Sequence, residues 1–427
     1  MNAIKILVSL FICLIALPVA VGSEVQAPAF VKKVEGAGRV SAAVQTTDGS
    51  YVSISDTGDT SCFVRKISNK GKRIWERTLS FEVGDGFVIM NGIAETNDGY
   101  VLVGWGRLAG YYDDDSDVLV KLGTDGTVQW TKTFSAPGLF DSVFATADGG
   151  YIIQGKAGSR TILLKFSSDH NVVFAKSFEH SCCSLSQGVS DGFVLASGVH
   201  RVSNESKGLR VLKLNDSGRV VWKKLLKIKG FRLHALGAAS ENGVVLAGKS
   251  SNSNTLILVG LNAIGELHWK ASYSLKVHFY ISSLKQTLDG GYVITGTKSN
   301  PETGGNIGGF VLRIDAKQNL VFQKTFGLSD TKEGAESVFA TAEGGFTVFG
   351  TVFGSRRRND MLILNLNSDG DVPGCRFLQT LAASKVASPN VTLENPKIVF
   401  ENFQLSTKGS IQIDSVESKK LSSNACP

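Results

Sequence analysis

A chain of 427 residues with 42% hydrophobic side chains is long enough to bury a sizeable core, and 47 glycines against 8 prolines call for many tight turns rather than a fibrous or disordered architecture. Lys and Arg outnumber Asp and Glu by 45 to 38, but they are scattered along the sequence, which excludes the clustered basic face that nucleic-acid binding requires. Six cysteines in this length cannot be the main staple of the fold, and their spacing matches no zinc pattern.

The first element expected is a secretory signal peptide over residues 1–22. Lys5 precedes an apolar run from Ile6 to Val21, and Ala20 and Gly22 stand in A-x-A-like positions, so cleavage is expected after Gly22 or Ser23. The run is short for a membrane anchor and lacks a charged stop-transfer flank. No later stretch approaches the roughly eighteen apolar residues that cross a bilayer. An exported chain without stable membrane insertion follows. Loss of Lys5 takes the formal charge from +7 to +6, and Cys62, Cys182, Cys183, Cys375 and Cys426 remain. An odd number leaves at least one thiol unpaired within the chain.

From residue 27 to 375 the sequence repeats. The residue just after each Gly-containing turn is Tyr51, Tyr100, Tyr151, Phe193, Val244, Tyr292 and Phe346, at steps of 49, 51, 42, 51, 48 and 54 residues. Each copy adds a second hairpin with a large aromatic at its end: Trp75, Trp130, Phe174, Trp222, Trp269 and Phe322. Four strands with period-2 alternation, recurring seven times, specify an all-β, seven-bladed β-propeller of four-stranded blades. The recurring Asp-Gly is the reversal between the first two strands of a blade, where positive φ favours Gly. The aromatics are expected to pack between neighbouring blades.

In the seventh copy, Pro373 and Gly374 stand where the fourth strand should begin, and Pro cannot donate to a sheet ladder. The segment "AFVKKVEGAGRVSAAV" (29–44) starts partway through a repeat, so the strand around Phe30 to Glu35 is expected to complete the seventh blade and close the ring. Residues 376–427 form a separate β-prone tail. Pro389, Pro396 and Phe403 recur in it at a seven-residue step, and the tail is expected either to pack on the propeller or to extend as a stalk. Cys375 and Cys426 bracket it, and a bridge between them suits an oxidising compartment.

The signature T-x-D-G-G-Y-x-x-x-G followed by L-x-x-x-G-x-x-x-W resembles the secreted β-propeller repeat proteins of bacteria and archaea. The resemblance covers about residues 27–375 and implies the fold. It implies little about function, because propellers host enzymes, binders and scaffolds alike.

Candidate chemistry lies on the face carrying the long, variable loops, the usual place for recognition on a rigid scaffold. A constant offset from each turn brings Ser41, Met90, Asp141, Cys183, His234, Ser282 and Glu336 to the channel mouth on that face. Asp141 and Glu336 with His234 would suit acid–base or metal chemistry. The parallel "DSVFATA" and "ESVFATA" equally suit acids that cap a repeated crossing by accepting backbone N–H groups. Asp113, Asp114, Asp115 and Asp117 form the densest acid cluster, with Asp113, Asp115 and Asp117 as hard oxygen ligands for calcium, although the spacing is not that of a calcium loop. No other cofactor is expected. Tyr111 and Tyr112, and Arg356, Arg357 and Arg358, are candidate ligand contacts on two of the variable loops. No G-x-S-x-G, H-E-x-x-H, P-loop or Rossmann motif is present.

Three functions fit these observations. The first is an exported, non-catalytic, monomeric propeller binding a protein, glycan or cell-surface partner through the variable-loop face. The second is a polysaccharide hydrolase or lyase using the channel-mouth carboxylates. The third is a structural surface or adhesion component attached by its tail.

Overall fold

Alternating apolar residues, with Gly at most reversals, turn each of the first six repeats into a four-stranded antiparallel meander. The first blade comprises Arg39–Gln45, Tyr51–Asp56, Ser61–Ile67 and Arg73–Phe81. Blades 2 to 6 span 87–135, 139–179, 183–227, 231–275 and 278–326. This computed structural model describes residues 29–57, 60–82, 86–107, 115–135, 139–158, 160–179, 183–187, 192–198, 208–251, 253–300, 305–327, 332–354, 359–380, 383–396, 400–402, 407–409, 413–417 and 422–424. The expected signal peptide lies outside these residues. Among the described residues no helix is long and apolar enough to cross a membrane.

Blade 7 has three strands of its own, Lys332–Ala340, Phe346–Phe353 and Asp360–Leu366. Its fourth is the N-terminal strand Phe30–Val34, antiparallel to the third with Phe30 opposite Asn365 and Val34 opposite Met361. The ring therefore closes non-covalently between the two ends of the repeat array. The core confirms closure, because the described buried apolar side chains fall into seven clusters, one at each blade-to-blade interface including that between blades 7 and 1.

Two kinds of turn share the short-turn face. In the turn between the first and second strands, Thr46 Oγ1 donates to Asp48 Oδ1 (2.6 Å), Ser50 N donates to the same oxygen (2.9 Å) and Lys66 reaches the other carboxylate oxygen (2.7 Å). Self-satisfying Asx turns of this kind explain why Asp-Gly recurs. In the turn between the third and fourth strands, five positive-φ glycines seat an aromatic from the preceding blade: Phe30 on Gly71, Trp75 on Gly126, Phe174 on Gly218, Trp222 on Gly265 and Phe322 on Gly370. A side chain at Gly126 or Gly218 would come within 2.8 or 2.7 Å of the ring, so Gly serves both the backbone and the packing there.

The segment after Cys375 is not a stalk. After reversing at Pro373–Gly374 it runs backwards around the perimeter and adds a fifth, outermost strand to each blade. Leu378–Thr380 joins blade 6, Ala383–Val386 blade 5, Thr392–Glu394 blade 4, Phe400–Asn402 blade 3, Thr407–Gly409 blade 2, Ile413–Glu417 blade 1 and Ser422–Asn424 blade 7. The blades are thus five-stranded with the tail included. The outer strands start about seven residues apart on average, and Pro389 and Pro396 fall in the crossings, where no ladder donor is needed. Lys270 Nζ donates to Pro389 O (3.0 Å) and Lys227 pairs with Glu394, tying the belt to the blades. Cys375 is disulfide-bonded; its expected partner, Cys426, lies outside the described residues. Cys62 is a buried free thiol.

Candidate functional site

Six of the seven inner strands carry a one-residue bulge near the variable-loop face, at Ser41, Asn91, Asp141, His234, Ser282 and Glu336. A bulge bends its strand and re-aims a side chain, and here it does so at equivalent places around the channel. Two residues of the expected set are corrected. The first turn of blade 2 is one residue shorter than its counterparts, which moves the bulge to Asn91 and leaves Met90 in the core at 1% exposure. Cys183 begins an inner strand with regular pairing and no bulge.

The bulged residues join neighbouring blades. Asn91 Nδ2 donates to Phe140 O of blade 3 (3.0 Å), and Ile281 N of blade 6 donates to His234 Nδ1 (3.4 Å). Asp141 is paired with Lys156 of its own blade (3.1 Å). Burial raises the Glu336 carboxyl above its ordinary value, against the pull of Arg39 on blade 1. Asp141, His234 and Glu336 thus sit on blades 3, 5 and 7, each with its own partner. Among the described residues no three of His, Cys, Asp and Glu come together as a metal group.

Of the proposed calcium cluster, Asp113 lies outside the described residues and Asp115 stands 3.8 Å from Arg107. Asp117 is 1% exposed and accepts the backbone N–H of Phe140 (2.8 Å), so the crossing is capped by an acid, though not by Asp141. Burial, helped by Asp141 and Asp115, pushes the Asp117 carboxyl up to about 8. The folded-state value lies above the unfolded one. This group therefore favours the folded state fully below about pH 4, and the contribution is lost as pH rises through about 8. Asp117→Asn keeps the acceptor without the titration. We expect it to gain on the order of 2–5 kcal/mol over the parent in urea melts at about pH 8.5, and nothing at about pH 4.

Comparison between blades isolates a second feature. Lys156 of blade 3 and Lys249 of blade 5 occupy equivalent places, each five residues after the turn aromatic or its substitute. In blade 3 the bulged residue is Asp141, which neutralises Lys156. In blade 5 it is His234, and Lys249 lies directly opposite Arg232 in the ladder. Burial, then Lys249 and Arg232, holds the His234 imidazole below its ordinary value; burial and Arg232 do the same to Lys249. The Lys249 ammonium rests over the Phe279 ring (5.0 Å), and Tyr280, 52% exposed, lies 6.1 Å from the His234 ring. Arg232, Lys249 and Tyr280 were not singled out from sequence. The available signal was the His at an acid position, which means something only once the bulge fixes what faces it.

On the opposite face the channel opens into a cavity of about 740 Å³, lined by inner strands of blades 1, 2, 3, 6 and 7. Asp48 and Lys66 pair with each other there, and Glu95 accepts from Thr47 N (2.8 Å). Lys285 also lines it, with its ammonium 5.9 Å from the Phe339 ring and held below its ordinary value by burial. Tyr111, Tyr112, Arg356, Arg357 and Arg358 lie outside the described residues.

No described protein family and no curated protein matches the chain. Solved structures similar to it include a streptogramin B lyase (10% identity, 79% of this chain and 98% of that one, TM-score 0.47). A putative 6-phosphogluconolactonase from Bacteroides fragilis matches at 12% identity over 87% and 99% of the two chains (TM-score 0.42). A protein of unknown function from Bacteroides caccae matches at 12% identity over 69% and 93% (TM-score 0.39). At these identities the likeness is one of fold.

Proposed function

We propose that the chain is an exported, non-catalytic β-propeller that binds an acidic glycan at the cell surface through its variable-loop face. The observation that carries this reading is the Arg232–Lys249 pair, two cations opposite each other in one hairpin with His234 in the acid position. Like charges placed directly opposite destabilise a sheet, and a bound anion offsets that repulsion. Tyr280 supplies a flat face for a sugar ring while the sulfate or carboxylate of that sugar meets the cations. Export is supported by the signal-peptide pattern and by the disulfide at Cys375, a bond that persists in oxidising compartments. The hydrolase or lyase reading needs free carboxylates at one opening, whereas Asp141 is held by Lys156. The attachment role assigned to the tail loses its element, because the tail is used as outer strands.

Binding of the mature chain to immobilised heparin and polygalacturonate, with neutral dextran as control, tests the proposal. Retention of the acidic polymers alone is expected, weakening with salt. Any strengthening through His234 should set in only below the ordinary histidine range, because burial, Lys249 and Arg232 hold its imidazole below its ordinary value. The Arg232→Ala/Lys249→Ala variant should bind at least about tenfold more weakly. Undiminished binding by this variant, or equal retention on dextran, overturns the assignment.

A further inference from the structure

The repeats serve as internal controls for one another, and the interface between blades 5 and 6 departs from the rest on the short-turn face. In four blades a third-strand cation reaches the turn Asp: Lys66 to Asp48 (2.7 Å), Lys121 to Asp98 (2.8 Å), Lys165 to Asp148 (2.7 Å) and Arg313 to Asp289 (2.7 Å). Each of these cations lies opposite the aromatic of the fourth strand in the ladder. Blade 5 has Gly260 at that place, opposite Trp269. Its turn lacks Asp-Gly and instead holds two consecutive non-glycine residues in the left-handed region, Glu241 (φ 56°) and Asn242 (φ 60°). Local strain of this sort persists where the surroundings over-determine it and concentrates at ligand clamps.

The neighbouring blade changes as well. Five interfaces offer a glycine seat; blade 3 has His170 (φ 60°) there, against Trp130, and blade 6 has Gln318 (φ 59°). Its side-chain amide donates to Ala316 O (2.8 Å). Ala316 O corresponds to Thr124 O and Ala263 O, which accept the indole N–H of Trp75 (3.1 Å) and Trp222 (2.7 Å). Trp269 therefore loses both its seat and its acceptor. Its indole lies over Gly260, where any side chain would overlap the ring, and its N–H has no partner among the described residues. A cavity of about 530 Å³ opens, lined by Trp269, Tyr292, Asn262, His268, Glu241 and Gln318.

We infer that this cleft is a second ligand site and that it takes a neutral saccharide of one or two rings. Its volume falls within the range of small-molecule sites, on the order of 300–1,000 Å³. The indole, with Tyr292 at 5.6 Å between ring centroids, offers a flat apolar wall, and its N–H, the Asn262 amide N–H groups, Gln318 Oε1 and the Glu241 carboxylate match the donors and acceptors of sugar hydroxyls. The lining holds a carboxylate and no Lys or Arg, so it disfavours the anions proposed for the opposite face.

Calorimetry and saturation-transfer NMR on the intact mature chain test this, using methyl glucoside, methyl galactoside, methyl mannoside, N-acetylglucosamine and their β-linked disaccharides as probes. At least one probe should saturate, with transfer from indole protons. Gly260→Lys/Gln318→Gly puts a side chain under the indole and gives blade 6 the glycine seat of five other interfaces. It should weaken binding at least about tenfold while the thermal melt stays cooperative, which separates loss of the site from loss of the fold. Should that variant not fold, Trp269→Leu is expected to give the same loss. Absence of saturation by every probe, or undiminished binding by a folded variant, overturns the inference. Heparin binding by these variants should stay unchanged, so its failure would not be confused with failure here.

Discussion

Replacing Val31 and Val34 together with Asp should abolish cooperative folding. These side chains are 2% and 3% exposed and belong to the interfaces that blade 7 makes with blades 6 and 1. Each apolar side chain contributes about 1.5–3 kcal/mol by burial. An unpaired carboxylate in its place adds several kcal/mol of desolvation. The sum approaches the entire stability of a typical domain, about 5–15 kcal/mol. The strand they occupy also fills the edge of Asp360–Leu366 over five register pairs, so its loss opens the ring. Circular dichroism melts should show no sharp transition, and gel filtration should show association through the freed edge. Lys32→Ala on the same strand should stay near the parent, since its amine makes a part-buried bond to Gly71 O (2.8 Å) and lies over the Phe30 ring (5.1 Å), neither of them in the core. A cooperative melt of the double variant near the parent midpoint would sink the closure.

Truncation after Phe377 should leave a propeller that folds but associates. The seven outer strands are short, two to five register pairs each, and ordering the belt offsets much of what its hydrogen bonds contribute. What the belt supplies without substitute is cover for seven outer edges. Light scattering of the truncated protein is expected to rise with concentration while the intact chain remains monomeric. The disulfide bears on the same element. Cys375 packs on the core between blades 6 and 7, and the belt returns to blade 7 with Ser422–Asn424 paired to Lys32–Val34. A Cys375–Cys426 bridge should appear in peptide mapping. Closing a loop of some fifty residues is worth about 4 kcal/mol, so in a chain of this length Cys375→Ser should lower the melting midpoint by about 5 °C. A midpoint unmoved by Cys375→Ser, or a truncated chain that stays monomeric, would show that the belt is dispensable.

The channel-mouth set shows how far local pattern reaches. A constant offset from the Gly turns placed Asp141, His234, Ser282 and Glu336 at the bulges, because turn chemistry and period-2 alternation are written residue by residue. The same offset missed Asn91, because one residue fewer in the blade 2 turn shifts the register and sends each side chain to the other face. What each bulged residue does depended on its partner. Asp141 finds Lys156, whereas His234 lies near Arg232 and Lys249, residues whose opposition exists only in the folded hairpin.

By itself the sequence determined the repeat, the number of blades and the strand that closes the ring, since a missing fourth strand and a surplus first one are visible in any alignment of the copies. Only the tertiary structure decided the path of the tail. Outer-edge pairing is made by backbone hydrogen bonds, which leave little trace in side-chain identity, so short alternating pieces fit a stalk and a belt equally well until the seven edges that accept them are in place.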